Sequence, residues 1–336
     1  MSRRAFLCGG AALIGMGSFA IPTLGQDGRL AALLDEASSF PSLQTIMVAR
    51  NGTVIIERAY RGHSSNAPTN IKSASKPIVA TLVGIAIEQG ILEGIDQAIA
   101  PILSADIAAN ADPRIETVTI GHLLTMQAGL RPTSGAEYGR WVSSENWVRA
   151  ALNRPFDAAP GGHMLYSTGS THLLSAILTR TTGQSTLALA RGWLASVEGF
   201  SIDSWARDPQ GIYLGGNEMA MSPRSLLAFG EVFRRGGLNA SGGRVISEYW
   251  VEQAWMARTR SRYSDDGYGY GWFLRSMAGE DIRYAWGYGG QMLYIVPRLD
   301  LSVVMTSDDA PRPTTIADRD NLHALSARII ETVRDL

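Results

Sequence analysis

The sequence predicts an α+β fold with one antiparallel β-sheet assembled from both ends of the chain. β-rich runs occur at residues 45–60 and return at residues 268–274, 282–297 and 301–307. Helical patterns dominate the residues between these runs, and they also begin and end the chain. Strands that open and close a chain are most simply joined in one sheet, with terminal helices packed on it and a helical subdomain inserted.

The first elements follow from local patterns. Residues 29–40 have helical spacing, and residues 45–60 form two β-rich runs around Asn51-Gly52, which is a strong hairpin signal. The segment IVATLVGIAIEQGIL at residues 78–92 is apolar on nearly all sides. Because a helix that is apolar all round must be covered on all sides, this segment is predicted to be a buried helix.

The middle of the chain reads mostly as helices and loops. Several candidate helices begin with Ser or Thr, the residue types that cap helix N-termini. They lie at residues 118–127, 144–153, 170–181, 222–235 and 247–256. After the closing strands, residues 319–336 have an amphipathic pattern and are predicted to form the terminal helix.

The N-terminal residues 1–25 are predicted to be an export signal. Arg3 and Arg4 precede a moderately apolar run at residues 5–21, and the order S-R-R-x-F-L resembles a twin-arginine signal. An uncleaved membrane anchor is the alternative. The preferred interpretation is cleavage near Gly25 and a periplasmic or secreted protein without a stable membrane anchor. Residues 26–336 would then form one catalytic domain, with residues 26–92 and 263–336 in the sheet part and residues 93–262 in a mostly helical insert.

Composition excludes several functional classes. The formal net charge is -1 at pH 7, which argues against nucleic acid as a partner. Cys8 is the one cysteine and lies in the predicted signal, so the mature chain is expected to lack a thiol nucleophile and a disulfide. The five histidines have no metal-site spacing, and G-x-S-x-G is absent. We therefore expect no metal, no cofactor and no α/β-hydrolase nucleophile turn.

The stretch NIKSASKP, residues 70–77, contains the two lysines of the chain, Lys72 and Lys76. Residues three apart on a helix share a face, so Lys76 can reach the hydroxyl of Ser73. Pro77 fits only in a first helical turn, which places Ser73 at the helix mouth. A buried lysine can lose its proton and act as a base, whereas arginine cannot. The alternative is a capping serine beside a solvated lysine.

Two further stretches contain candidate site residues. Tyr166 lies just before a predicted helix, and with a lowered pKa it could shuttle protons to and from Ser73. A core tyrosine is the alternative. The run Trp286 to Gln291 is rich in glycine, which in strands often marks close approach of a backbone to a ligand. The N–H groups of Ser73 and Gln291 could form an oxyanion hole; the alternative for this run is a β-bulge.

These three stretches, in this order, resemble the serine β-lactamase and penicillin-recognising superfamily, and its class C-like branch in particular. The resemblance spans residues 40–307 and includes TVTIGHLLTMQAGL, PGGHMLYSTGSTHLLSAIL and YGYGWFL. It implies a β-lactamase/transpeptidase-like fold, with Ser73 as the acylated nucleophile, Lys76 as its base and Tyr166 as the tyrosine of the Y-x-N motif.

The motif that the family writes K-T-G, H-T-G or H-G-G corresponds to Tyr288, Gly289 and Gly290. Two departures concern the substrate site. Thr168 replaces the asparagine of Y-x-N, and Tyr288 replaces the basic residue that helps to hold a substrate carboxylate in lactamases and peptidases. A neutral phenol favours an uncharged ester or a linear amide.

The sequence therefore predicts an exported serine hydrolase that acts on a small-molecule ester or amide. Trp286 and Tyr288, together with Trp141, are expected to line an aromatic pocket, and water would be activated at Tyr166 and Lys76 for deacylation. A β-lactamase or D-alanyl-D-alanine-type peptidase is the alternative with the same fold. A non-catalytic penicillin-recognising binding protein is the alternative from another class.

Overall fold

A computed structural model describes residues 28–308, 310 and 315–336, with side chains of the last segment described from residue 318. The predicted export signal lies outside the described residues. The main sheet has eight strands in the order β2-β1-β11-β10-β9-β8-β7-β6. Its strands are β1 Leu43–Arg50, β2 Thr53–Ala59, β6 Thr259–Arg260, β7 Gly267–Tyr268, β8 Phe273–Met277, β9 Glu280–Gly287, β10 Gln291–Val296 and β11 Leu301–Ser307.

The pairing of β1 with β11 joins the two ends of the chain. The register runs from Leu43 opposite Ser307 to Arg50 opposite Leu301, and every pair in the main sheet is antiparallel. Asn51 and Gly52 connect β1 to β2 with φ values of 51° and 80°, as the Asn-Gly hairpin signal predicts. The predicted α+β class, with one antiparallel sheet built from both chain ends, is confirmed.

Helices cover both faces of this sheet. They are α1 Gly28–Glu36, α2 Lys76–Glu88, α3 Ala100–Leu103, α4 Ile120–Leu124, α5 Tyr138–Val142, α6 Trp147–Leu152, α7 Thr168–Thr182, α8 Thr186–Trp193, α9 Pro223–Arg234, α10 Glu248–Ala254 and α11 Thr315–Arg334. Side chains alternate between the faces because successive residues of a strand point to opposite sides. Ile46 and Val48 of β1 pack with α1 and α11, whereas Met47 and Ala49 belong to the core formed with α2 and α9.

Helix α2 is buried along almost its entire length, from Lys76 to Ala86, as its uniformly apolar composition predicts. It contacts α7 and α8 in the helical part. Its first turn adjoins the turn that precedes β8, where a Cβ on Gly271 would lie 3.0 Å from the nitrogen of Pro77. The start of α2 is therefore held between the sheet and the helical part.

The structure departs from the sequence prediction in several places, and one is β6 Thr259–Arg260, which lies in the predicted insert but belongs to the main sheet. Residues 268–274 form parts of two strands, β7 and β8, because Gly271 turns the chain with φ of 82°. Within the predicted helical insert, β4 Ser204–Trp205 and β5 Met219–Met221 form a small sheet with β3 Thr69–Asn70. Helix α9 packs against β1, β10 and β11, so it belongs with the main sheet. Among the helices described, none is long and apolar enough to span a membrane.

Candidate active site

Ser73 lies in a 3₁₀ turn, Lys72–Ser75, that runs directly into α2. Pro77 stands in the first turn of α2, where its missing N–H leaves no hydrogen bond unmade. Lys76 Nζ is 2.9 Å from Ser73 Oγ, whereas Ser75 Oγ donates to the carbonyl of Lys72 at 2.7 Å. The structure thus brings Ser73 and Lys76 together and directs Ser75 elsewhere, as the spacing predicted.

The amine of Lys76 is enclosed by protein, with the residue only 2% exposed. Besides Ser73 Oγ, Nζ contacts the carbonyl oxygen of Gly216 at 2.8 Å and Thr168 Oγ1 at 3.4 Å. Burial lowers the pKa of Lys76 to about 7, because removal from water disfavours the charged ammonium. A neutral amine has two N–H groups and one lone pair, which suits donation to Gly216 and Thr168 and acceptance from the Ser73 hydroxyl.

Tyr166 lies in the loop immediately before α7 and lines the same cleft as Ser73. Its ring centroid is 5.0 Å from Lys76 Nζ, and its ring stacks on Phe273 at a centroid distance of 6.3 Å. Burial raises the pKa of Tyr166 to about 12, and a hydrogen bond with Ser73 opposes that rise. The prediction of a lowered pKa is therefore wrong. The phenol keeps its proton at neutral pH, so it can donate a proton but cannot serve as a phenolate base.

Thr168 begins α7 and is tied to the lysine and to a residue that the sequence analysis missed. Its backbone N–H donates to Ser134 Oγ at 2.8 Å, and the two hydroxyl oxygens are 3.1 Å apart. Thr168 also lines the cleft. Thr168 stands where the Y-x-N motif has asparagine. It therefore places a network of hydroxyl groups beside Lys76, where the motif would place an amide. Ser134 is 34 residues away in sequence, and nothing in its local pattern indicates this contact.

The hairpin between β9 and β10 forms the opposite wall. Trp286 and Tyr288 line the cleft, as predicted. At Gly287, an added Cβ would lie 2.2 Å from the carbonyl oxygen of Ile71, so the backbone of β9 passes directly against the residues that precede Ser73. Glycine at this position is required by that close approach.

Gln291 and Gly290 do not face the cleft. The side chain of Gln291 is fully buried and exchanges hydrogen bonds with the backbone of Ser307 on β11, at 2.6 and 3.2 Å. A Cβ on Gly290 would also meet Ser307. Gly289, with φ of 88°, precedes both residues in the hairpin turn. Gly287, which pairs with Gln291 across the hairpin, is the residue whose backbone meets Ile71 at the start of the nucleophile turn. The assignment of the Gln291 N–H to the oxyanion hole is corrected because Gln291 is fully buried and is not among the residues that line the cleft with Ser73.

The cleft has a volume of about 690 Å³. One further wall comes from the loop and helix start at residues 134–138, where Tyr138 is half-buried and lines the cleft. Trp141, predicted to line the pocket, is instead 2% exposed and donates its indole N–H to the carbonyl of Trp147 at 2.9 Å. Tyr138, one helical turn before Trp141 and with its ring 6.0 Å from the Trp141 ring, lines the cleft in its place.

Residues 30–327 match the sequence model of the Beta-lactamase family. This chain belongs to the Beta-lactamase family. The family prediction made from Ser73, Tyr166 and the glycine-rich hairpin is thereby confirmed. A curated relative, the 6-aminohexanoate-dimer hydrolase of Paenarthrobacter ureafaciens, is 24% identical over 303 residues, covering 80% of this chain and 73% of that protein.

Solved structures share the fold of this Beta-lactamase-family hydrolase. EstCE1, a hydrolase with promiscuous acyltransferase activity, has a TM-score of 0.73 and 19% identity, covering 92% of this chain and 100% of that one. The penicillin binding protein of Bacillus halodurans has a TM-score of 0.68 and 16% identity, covering 88% of this chain and 99% of that one. At such identities the likeness shows the β-lactamase-like fold alone.

Proposed function

We propose that this protein is a serine hydrolase that cleaves an ester or a linear amide through an acyl-enzyme on Ser73. The observation that supports this proposal most directly is the contact of 2.9 Å between Ser73 Oγ and the buried amine of Lys76. With a pKa of about 7, that amine has a substantial neutral fraction at physiological pH. It can therefore accept the serine proton as attack begins.

Acylation follows from the positions of three side chains. Ser73 Oγ attacks the substrate carbonyl carbon and its proton passes to Lys76 Nζ. As the tetrahedral intermediate collapses, the phenol of Tyr166 donates its proton to the leaving group and recovers one from Lys76. Water then attacks the acyl group and its proton returns by the same residues, so that the acid is released and Ser73 regains its hydroxyl.

The developing oxyanion needs two N–H donors. The backbone N–H of Ser73 is one, because it stands in the turn that opens α2. We assign the second to the backbone N–H of Tyr288 in place of Gln291. Tyr288 follows Gly287, whose backbone abuts Ile71, and it lines the cleft with Ser73. Two preorganised donors of this kind typically contribute several kcal/mol to the transition state.

The walls of the cleft favour an uncharged substrate around the scissile bond. Tyr138, Trp286 and Tyr288 give the cleft aromatic surface, and a phenol at position 288 does not supply the positive charge that would hold the carboxylate of a lactam or D-peptide. The name of the 24% identical relative, a hydrolase of the 6-aminohexanoate dimer, agrees with a linear amide among the substrates.

The test compares two serines of one turn. Wild-type protein and the Ser75→Ala variant should be labelled stoichiometrically by a fluorophosphonate and should hydrolyse a short-chain nitrophenyl ester. Ser73→Ala should lose both, by more than about 10³-fold in rate. Full esterase activity in Ser73→Ala would refute the assignment. Rapid turnover of a chromogenic cephalosporin with negligible esterase activity would favour a lactamase, and absence of labelling in wild type would favour a binding protein.

We also propose that residues 1–25 direct export through a twin-arginine route. The support is the S-R-R-x-F-L order followed by an apolar run without acidic residues. Replacing Arg3 and Arg4 with lysine preserves charge and should leave the precursor in the cytoplasm, as measured by cell fractionation. Export of that variant at the wild-type level would contradict the twin-arginine route.

A further inference from the structure

The two lysines of the chain hold the same three residues, 216–218, which we call the strap. Lys76 Nζ donates to the carbonyl of Gly216 at 2.8 Å, and Lys72 Nζ is 3.0 Å from Glu218 Oε1. Asn217 and Glu218 line the catalytic cleft. The strap is therefore fixed at one end by the proposed base and at the other end by the residue that precedes the proposed nucleophile.

The carboxylate of Glu218 also holds Asn70. Asn70 Nδ2 donates to Glu218 Oε2 at 2.7 Å, while Asn70 Oδ1 accepts the backbone N–H of Lys72 at 3.0 Å. Asn70 is itself paired with Ala220 across β3 and β5. These contacts form a closed ring in which the Glu218 carboxylate fixes Asn70 and Lys72. These two residues flank Ile71, and Lys72 directly precedes Ser73.

Backbone conformations in this ring need such support. Lys72 and Glu218 have φ values of 50° and 48°, in the left-handed region that is unfavourable for residues with a Cβ. Gly216 has φ of 77°, and a Cβ there would lie 2.6 Å from Lys76 Cγ. The ring thus supports two residues with unfavourable backbone conformations, in the arrangement that places the Gly216 carbonyl against Lys76 Nζ.

We propose that the Lys72–Glu218 ion pair is a positioning device that fixes both the nucleophile turn and the carbonyl that orients Lys76. The proposal rests on the proposed function, since it assigns a role toward the same serine and lysine. It also explains why position 72 is lysine in a chain that, apart from Lys76, otherwise uses arginine. Glu218 Oε2 already accepts a hydrogen bond from Asn70, so a bidentate arginine would have to share that oxygen, whereas the compact ammonium of Lys72 needs only Oε1.

The test uses variants that remove charge and keep shape. Glu218→Gln should lower kcat/KM about 10- to 100-fold through kcat, with KM little changed, because small displacements of catalytic groups have effects of this size. The loss should be equal for esters and amides. Lys72→Met should show a similar loss, and the double variant should be no worse than either single variant, because the two residues act as one unit.

A small fluorophosphonate provides the readout that separates positioning from substrate contact. Its rate of reaction with Ser73 should fall in Glu218→Gln by the same factor as kcat/KM. The matched control is Glu57→Gln, which removes a carboxylate of similar exposure. Glu57 on β2 pairs with Arg224 on α9, away from the cleft. This control should label at the wild-type rate. Circular dichroism and thermal midpoints verify that each variant is folded.

The outcomes distinguish the two proposals. If wild-type protein does not react with the fluorophosphonate, the proposed function fails. If wild type reacts and both Glu218→Gln and Lys72→Met react at the same rate, the positioning role is overturned while the function stands. A loss confined to one substrate class, with normal labelling, would mean that Glu218 contacts substrate and would also overturn the positioning role.

Discussion

Replacing Lys76 with methionine should abolish activity and at the same time stabilise the protein at neutral pH. In the folded state the pKa of Lys76 is lowered from 10.5 to about 7 by burial alone. At ~1.4 kcal/mol per pH unit, keeping this lysine folded at pH 7 costs ~5 kcal/mol. Methionine has a similar length and no charge. Its introduction removes that cost. It also leaves the carbonyl of Gly216 without its donor, which lowers the free energy of unfolding by ~1–3 kcal/mol, and it deletes the hydrogen bond to Ser73, which lowers it by ~1 kcal/mol. The net gain is ~1–3 kcal/mol at pH 7.

The gain depends on pH in a defined direction. Between pH 7 and 10.5 the unfolded lysine is protonated and the folded one is not, so the unfolded state binds more protons. The stability of the wild-type protein therefore rises with pH in this window, by ~1.4 kcal/mol per unit, relative to a variant without the lysine. The advantage of Lys76→Met should shrink from pH 7 upward and reverse before pH 10.5.

Urea unfolding at 25 °C, measured at several values between pH 7 and 9.5, tests this reasoning. Ser73→Ala is the control, because it removes activity and retains the buried amine, so it should keep the wild-type dependence on pH. A Lys76→Met variant that is less stable than wild type at pH 7 would refute the argument. So would a stability difference that stays constant across the pH range.

Three further predictions concern the catalytic groups. The value of kcat/KM should fall tenfold per pH unit below about 7, because protonation of Lys76 removes the base; a profile that stays flat to pH 5 would contradict this role. Tyr166→Phe should lower kcat by ~10²–10⁴-fold, and the wild-type rate should show no alkaline decline from Tyr166 up to pH 10, since the pKa of that phenol is raised to about 12. Gly287→Ala should reduce activity at least tenfold and cost ~1–3 kcal/mol in urea unfolding, because the new Cβ would lie 2.2 Å from the carbonyl oxygen of Ile71. Gly192→Ala in α8, with no atom within 4 Å of its Cβ, is the matched control and should be neutral or stabilising; equal losses in both glycine variants would contradict the close-approach argument.

The parts of the fold that local patterns determine could be predicted from the sequence. Asn51-Gly52 specifies its hairpin because both residues tolerate positive φ, and α2 is recognisable as buried because it has no polar side. The strands of the closing sheet were found, but the break at Gly271 was not. That break depends on the approach of the turn to Pro77, nearly 200 residues earlier, which no local pattern encodes.

The same distinction applies to the site. Ser73 and Lys76 are three residues apart on one helical turn, so their contact follows from helix geometry. The pKa of Tyr166 was predicted in the wrong direction, because the aromatic residues that bury it, Tyr268 and Phe273, come from strands about 100 residues later.

Register and long-range contacts account for the remaining differences. Gln291 was misassigned because the length of the β9–β10 turn decides which residue meets Ile71, and the sequence does not specify that length. Ser134 and Glu218 reach the cleft only through contacts between distant segments. Single-sequence patterns contain no record of such contacts.

The pairing of β1 with β11 has a consequence for synthesis. While the chain emerges from the ribosome, β1 and β2 can pair early, but the other edge of β1 stays open until Leu301–Ser307 has been made. That edge carries Ile46, Met47 and Val48, which are fully buried in the finished protein. Open apolar edges invite pairing with other chains. The nascent protein is therefore exposed to aggregation through most of its translation, and protection of β1 by a chaperone should raise the yield of folded protein.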